Sequence, residues 1–145
     1  MTIPEILKEL EPYTGRFPNK AMRAAVEQRE AITPELLKVL ETCAADPVGF
    51  AKREDYMLHI FALYLLAQFR ETRAYPLAAR IFSAPGEVSF DLFGDTVTEA
   101  LSQILGSIYD GDPTPLEKLI ESEAVNEYVR NAAIDTFLVQ EHSGQ

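Results

Sequence analysis

Apolar residues recur along most of this chain at the three- and four-residue spacing of an α-helix, and the strict alternation of a half-buried strand is nearly absent. The pattern predicts eight helices, over 3–11, 19–30, 34–45, 55–69, 76–83, 91–107, 115–122 and 126–139. Between them stand turn-forming clusters: Tyr13-Thr14-Gly15, Asp46-Pro47-Val48-Gly49, Ala84-Pro85-Gly86 and Asp110-Gly111-Asp112-Pro113. Several helix starts have a mechanism. Thr33-Pro34-Glu35 and Thr114-Pro115-Leu116-Glu117 each place a capping hydroxyl before a proline at the first helical position, where its missing N–H is harmless. Thr114 with Glu117, and Thr2 with Glu5 around Pro4, have capping-box spacing.

Pro34, Pro76 and Pro115 recur at intervals of 42 and 39 residues, which is a repeat period. A shift of 39 lays Leu65 on Ile104, Leu66 on Leu105, Leu77 on Leu116 and Ile81 on Ile120. A further copy, offset by 32 or 33, brings Leu105 onto Phe137 or Leu138. Two helices per repeat of this length match HEAT and armadillo arrays. The expected fold is therefore all-α: a short right-handed α-solenoid of HEAT-like antiparallel helix pairs. It forms a single helical-repeat domain over 1–145, with an N-terminal cap pair at 1–31 and repeats at 32–70, 74–109 and 112–140. The competing reading is a non-repetitive bundle whose helices happen to be evenly spaced.

The apolar content of 47% in 145 residues is enough for one core without disulfides or a structural metal, and the single cysteine, Cys43, excludes multi-cysteine zinc patterns. The charge is uneven. Residues 1–73 carry ten basic and eleven acidic side chains, whereas residues 74–145 carry three basic (Arg80, Lys118, Arg130) and twelve acidic, so nine of the ten net negative charges fall in the second half. Nucleic-acid binding through phosphate contacts is disfavoured by that balance. The longest apolar stretch, Tyr56 to Ala67, falls short of the roughly 20 residues a bilayer span needs, and the N-terminus has no signal-peptide pattern. A cytoplasmic address without membrane contact is the expectation.

Chemistry-bearing residues are sparse. His59 and His142 have no His or Cys nearby in sequence, and a lone His on so apolar a helix reads as a hydrogen-bonded residue rather than a ligand. Cys43 lies at a helix C-terminal end, where the dipole disfavours a thiolate. No glycine pattern cradles phosphate. Asp110, Asp112, Thr114 and Glu117 lack the ligand order of a calcium loop and read as a turn. No catalytic residue, cofactor or metal site is expected. Glu87, Asp91, Asp95 and Glu99 recur every four positions, so either a continuous helix aligns them as a strip or Gly94 and Pro85-Gly86 break the segment and scatter them.

The second helices of the three pairs differ on the face opposite the core. In 91–107 that face carries Asp95, Glu99 and Gln103, and in 126–139 it carries Glu127, Asn131 and Asp135. The equivalents in 55–69 are Tyr56, Ile60 and Tyr64. A helix that is apolar all round needs cover on all sides. Either residues 3–30 fold over it, or it is an exposed patch for a peptide, a partner helix or a second protomer.

The run Asn126-Glu127-Tyr128-Val129-Arg130-Asn131-Ala132-Ala133-Ile134-Asp135 resembles the second helix of a HEAT-like repeat. Gly15-Arg16-Phe17-Pro18, Ile32-Thr33-Pro34-Glu35-Leu36-Leu37, the stretch His59 to Ala67 and the Asp110-Gly111-Asp112 turn resemble the bacterial domain-of-unknown-function family 1186. That resemblance implies helical repeats and no particular activity. Longer members continue into a cysteine-rich, metal-binding motif, whose cysteines are not in this sequence, so no zinc association is implied.

Together these features predict a non-catalytic protein-interaction or scaffold module. Its surface is the strip Asp95, Glu99, Gln103, Glu127, Asn131 and Asp135 beside Tyr56, Ile60 and Tyr64, suited to a basic or amphipathic helical partner. The Tyr56–Tyr64 face also suits a homodimer. Two alternatives stand beside it: a ligand-binding protein similar to the HEAT-like phycobilin lyases, with His59, Tyr64 and Arg130 lining a pocket, and an acidic mimic of nucleic acid. Arg130 is expected to pair with Asp95 or Glu127.

Overall fold

The computed structural model describes residues 1–143 and, among them, eleven helices, no strand and one isolated antiparallel bridge between Pro85 and Val125. The helices are α1 (Ile3–Leu10), α2 (Asn19–Glu27), α3 (Arg29–Ala45), α4 (Pro47–Phe50), α5 (Leu58–Gln68), α6 (Ala74–Phe82), α7 (Val88–Phe93), α8 (Thr96–Glu99), α9 (Leu101–Ile108), α10 (Thr114–Glu121) and α11 (Glu127–Ser143).

The cap at Thr2 forms as expected: its hydroxyl accepts from Glu5 N–H at 3.3 Å and the Glu5 carboxylate accepts from Thr2 N–H at 3.0 Å. Two other starts differ. Pro34 lies inside α3, which begins at Arg29, so a boundary between 1–31 and 32–70 cuts through a helix. Thr33 does not cap; its hydroxyl donates to the Arg29 carbonyl at 2.7 Å. Pro34 withholds the N–H that would reach Glu30, and Glu30 is exposed, so water can take the freed carbonyl. At α10 the Thr114–Glu117 box does not form. Instead Asp112 accepts from Thr114 N–H at 3.0 Å, and Asp110 from Asp112 N–H at 2.9 Å, a turn of two linked carboxylate contacts.

The segment expected as one helix over 91–107 is three. Gly94 turns the chain at φ +54°, ψ −135°, conformations that side chains other than glycine's strongly resist, and Ala100 makes a second break. The row Glu87, Asp91, Asp95, Glu99 is therefore not a strip on one helix. α5 ends in a Schellman motif, with Arg70 N–H donating to the Ala67 carbonyl, Glu71 N–H to Leu66, and Arg70 itself at φ +53°.

Packing follows chain order. α1 lies on α2 and α5; α3 on α5 and α6; α6 on α10; α5 on α9; and α11 on α8, α9 and α10. The buried apolar side chains form one continuous cluster from Ile6 to Ala133. Tyr75 is buried within it, and its hydroxyl donates to the Asp112 carbonyl at 2.7 Å, tying α6 to the turn before α10. Arg29 reaches from α3 to the end of α5, stacking over the Phe69 ring and donating to the Phe69 carbonyl.

Candidate functional site

The outer face of α5 has partial cover, and most of it comes from an unexpected place. Residues 3–30 cover part of it: α1 packs on α5, Phe17 packs edge-on against Phe61, Met57 N–H donates to the Glu11 carbonyl at 2.6 Å, and Arg29 stacks over Phe69 at the helix end. The rest is met by the 88–96 segment and by the loop before α5. His59 is buried with Nε2 at 2.5 Å from the Leu92 carbonyl, its ring stacked on Tyr56 and edge-on to Phe50 and Phe93. With Nε2–H donating, Nδ1 is left without a hydrogen-bond partner. Burial holds the His59 imidazole below its ordinary range, partly opposed by the Leu92 carbonyl.

Tyr64 hydrogen-bonds to the Thr96 hydroxyl at 3.1 Å, so α8 supplies a polar contact at the end of that aromatic face. Tyr56 and Ile60 are half-buried and line an open pocket of about 310 Å³ with Phe90, Leu92 and Phe93 on its far wall. Arg53 crosses its mouth, stacked over the rings of Phe50 and Tyr56. The expected aromatic patch is thus neither fully covered nor a bare surface. Tyr64, at 37% exposure, is its most open member.

All six polar members of the strip are exposed, and they fall on helices that touch one another: Asp95 before and Glu99 within α8, Gln103 on α9, and Glu127, Asn131 and Asp135 on α11. Gln103 and Asp135 share a shallow groove of about 190 Å³ between α9 and α11. None of the four carboxylates makes an ion pair among the described residues. Arg130 does not neutralise them: it pairs with neither Asp95 nor Glu127, and its Nε donates to the Ile120 carbonyl at 3.2 Å. A half-buried guanidinium lying back against α10 finds a backbone acceptor there before it can reach an exposed carboxylate.

Four further residues belong to this face. Tyr128, Ile134, Leu138 and Val139 are exposed apolar side chains of α11, interleaved with Glu127, Asn131 and Asp135. Their helical positions made this readable in advance, because Ile134 and Leu138 fall beside Glu127 and Asn131 at the 100° step of a helix. Choosing the strip by polarity alone passed over them.

The three residues of the ligand-pocket alternative are not brought together. His59 meets Leu92, Tyr64 meets Thr96, and Arg130 meets Ile120. The Cys43 thiol is fully buried, and burial pushes its pKa up to about 12, so it holds no thiolate at neutral pH. No group of three or more His, Cys, Asp or Glu side chains among the described residues is placed to hold a metal ion. The side chain of His142 lies outside the described residues. No described helix is long and apolar enough to cross a membrane.

The model of a family described as "Protein of unknown function (DUF1186)" matches residues 1–143. Proteins named "Uncharacterized protein" from Chlamydia muridarum (strain MoPn / Nigg) and from Chlamydia trachomatis serovar D are each 44% identical to this chain over 139 residues. The match covers 95% of this chain and 55% of each relative, so the chain spans about half the length of the curated relatives it matches. No solved structure matches it.

Proposed function

The chain belongs to the DUF1186 family, and from its surfaces we propose that it is a non-catalytic protein-interaction module built on a short right-handed solenoid of HEAT-like pairs. The packing order supports the solenoid reading. α3, α6 and α10 neighbour one another in series, α5, α9 and α11 form a second series, and α3–α5 and α10–α11 are adjacent pairs.

The observation that carries the interaction reading is the outer face of α11, where exposed Tyr128, Ile134, Leu138 and Val139 alternate with unpaired Glu127 and Asp135. An exposed apolar row within a field of one sign is the complement of an amphipathic helix with basic flanks. Apolar contact supplies affinity, and the carboxylates supply steering and register. Asp95, Glu99 and Gln103 extend the same face onto α8 and α9, towards Tyr64.

A fluorescently labelled amphipathic helical peptide with lysine flanks tests it by anisotropy. Binding should weaken at least about tenfold in Glu127→Lys/Asp135→Lys and should fall as salt is raised. Equal binding by the variant, or affinity indifferent to salt, counts against this surface.

A further inference from the structure

The exposed large apolar side chains are not scattered. Of the nine among the described residues, four lie on α11 (Tyr128, Ile134, Leu138, Val139) and three on the N-terminal segment: Tyr13, Phe17 and Val26. The two groups sit on elements packed against different neighbours. α2 lies on α1 and α3, while α11 lies on α8, α9 and α10.

Their electrostatic surroundings differ. Residues 13–26 carry Arg16, Lys20 and Arg23 and no Asp or Glu, with Glu9 and Glu27 lining the grooves beside them. All three cations are exposed, and none makes an ion pair among the described residues. Phe17, 60% exposed, stands between two open grooves. One, of about 240 Å³, is lined by Tyr13, Arg16 and Phe61; the other, of about 360 Å³, by Met22, Arg23 and Val26. The α11 face gains two further acidic residues, Asp95 before and Glu99 within the adjoining α8.

From this pairing we infer that the occupant of the α11 face is a second copy of this chain, docked through its Tyr13–Val26 segment in a head-to-tail contact. The inference rests on the reading of the α11 face as an interaction surface and names its partner. A two-fold contact of α11 on α11 would set Glu127 and Asp135 against their own copies, and a two-fold contact of the N-terminal segments would oppose Arg16, Lys20 and Arg23. Seating the N-terminal segment of one copy on α11 of another brings cations to carboxylates while covering both apolar groups, whether the contact is reciprocated about a two-fold or passed on to a further copy. The grooves flanking Phe17 offer seats for side chains the size of Ile134 and Leu138. Reciprocated, the contact closes as a dimer; passed on, it makes a ring or a growing chain, so mass rises with concentration to the dimer or beyond.

The test uses the whole chain in sedimentation velocity from about 1 µM to about 1 mM. Mean mass should rise to the dimer or beyond with concentration at low ionic strength and fall back in about 0.5 M salt. Two variants each remove one side: Arg16→Glu/Lys20→Glu/Arg23→Glu on the N-terminal segment, and Ile134→Lys/Asp135→Lys/Leu138→Lys on α11. Each alone should be monomeric. An equimolar mixture should form heterodimers and nothing larger, because each variant retains the face the other has lost, and that recovery shows both are folded. A wild type monomeric throughout the range overturns the proposal, as does a closed dimer surviving in either variant or a mixture that stays monomeric. If the wild type stays monomeric yet the lysine-flanked peptide binds α11, the interaction surface stands and only its occupant is wrong. If neither associates, both readings fall.

Discussion

Helices α5 and α11 each pack on an earlier helix, α3 and α10, yet they stand in opposite relation to solvent. α5 is buried on nearly every side, with Leu58, His59, Ala62, Leu63, Leu65, Leu66 and Ala67 all inaccessible. α11 buries Val129, Ala132, Ala133 and Thr136 and leaves Ile134, Leu138 and Val139 open. The difference lies in the number of neighbours. α5 is enclosed by α1, α3, α6 and α9 and further capped by the 88–96 segment, while α11 has α8, α9 and α10, with the Phe90 ring of α7 edge-on to Tyr128. An apolar side chain therefore has a different meaning in each helix. In α5 it holds the core together; in α11 it stays in contact with solvent.

Truncating the same residue type in both helices should separate them by the largest margin. Leu65→Ala in α5 should destabilise the fold by about 2–5 kcal/mol, because no group is free to collapse into the space, whereas Leu138→Ala in α11 should stay within about 0.5 kcal/mol. Urea denaturation of the two variants measures both. Comparable losses would mean that α11 is covered in solution.

A smaller effect tests the cover over α5. Gly94 holds a backbone conformation that the 88–96 segment needs in order to fold back on α5, so Gly94→Ala should cost about 1–3 kcal/mol, with increased exposure of Tyr64 to quenchers. Unchanged stability would mean that the turn is not what holds Leu92 and Thr96 in place.

The next test follows from His59. Its folded pKa lies below the ordinary 6.5, so the unfolded chain takes up the proton more readily. The stability this contributes is complete above about pH 6.5 and is lost as pH falls through the lower folded value. Thermal midpoints between about pH 7.5 and 5.5 should decline more steeply in the wild type than in His59→Leu. Parallel slopes would show that the buried imidazole titrates normally.

The smallest effect has the opposite sign. Arg70 occupies the left-handed position of the Schellman motif at φ +53°, so Arg70→Gly should leave stability unchanged or raise it by up to about 1 kcal/mol. A loss by the same measure would assign Arg70 a contact beyond its backbone conformation.

Much of this was readable in the residues. Thr2 and Glu5 announce a capping box that forms and Asp110 with Asp112 announce a turn, whereas Gly94 breaks a segment whose spacing predicts one helix over 91–107. Pro34 misleads because proline marks a helix start only when nothing upstream can continue as helix. Here Arg29 to Thr33 can, anchored by Arg29 on Phe69. The acidic strip was legible residue by residue as an exposed face, and Ile134 and Leu138 share its helical register, but that they stay exposed depends on what α11 touches.

By itself the sequence determined that this chain is all-helical, where most of its turns fall, and that negative charge gathers in its second half. Those properties depend on local conformational preference and on composition. Only the tertiary structure decided what covers α5, where Arg130 turns, and which apolar side chains stay outside. Burial is a property of neighbours, and residues 33 or more positions apart, His59 with Leu92 or Thr136 with Ser102, become neighbours only when the helices pack.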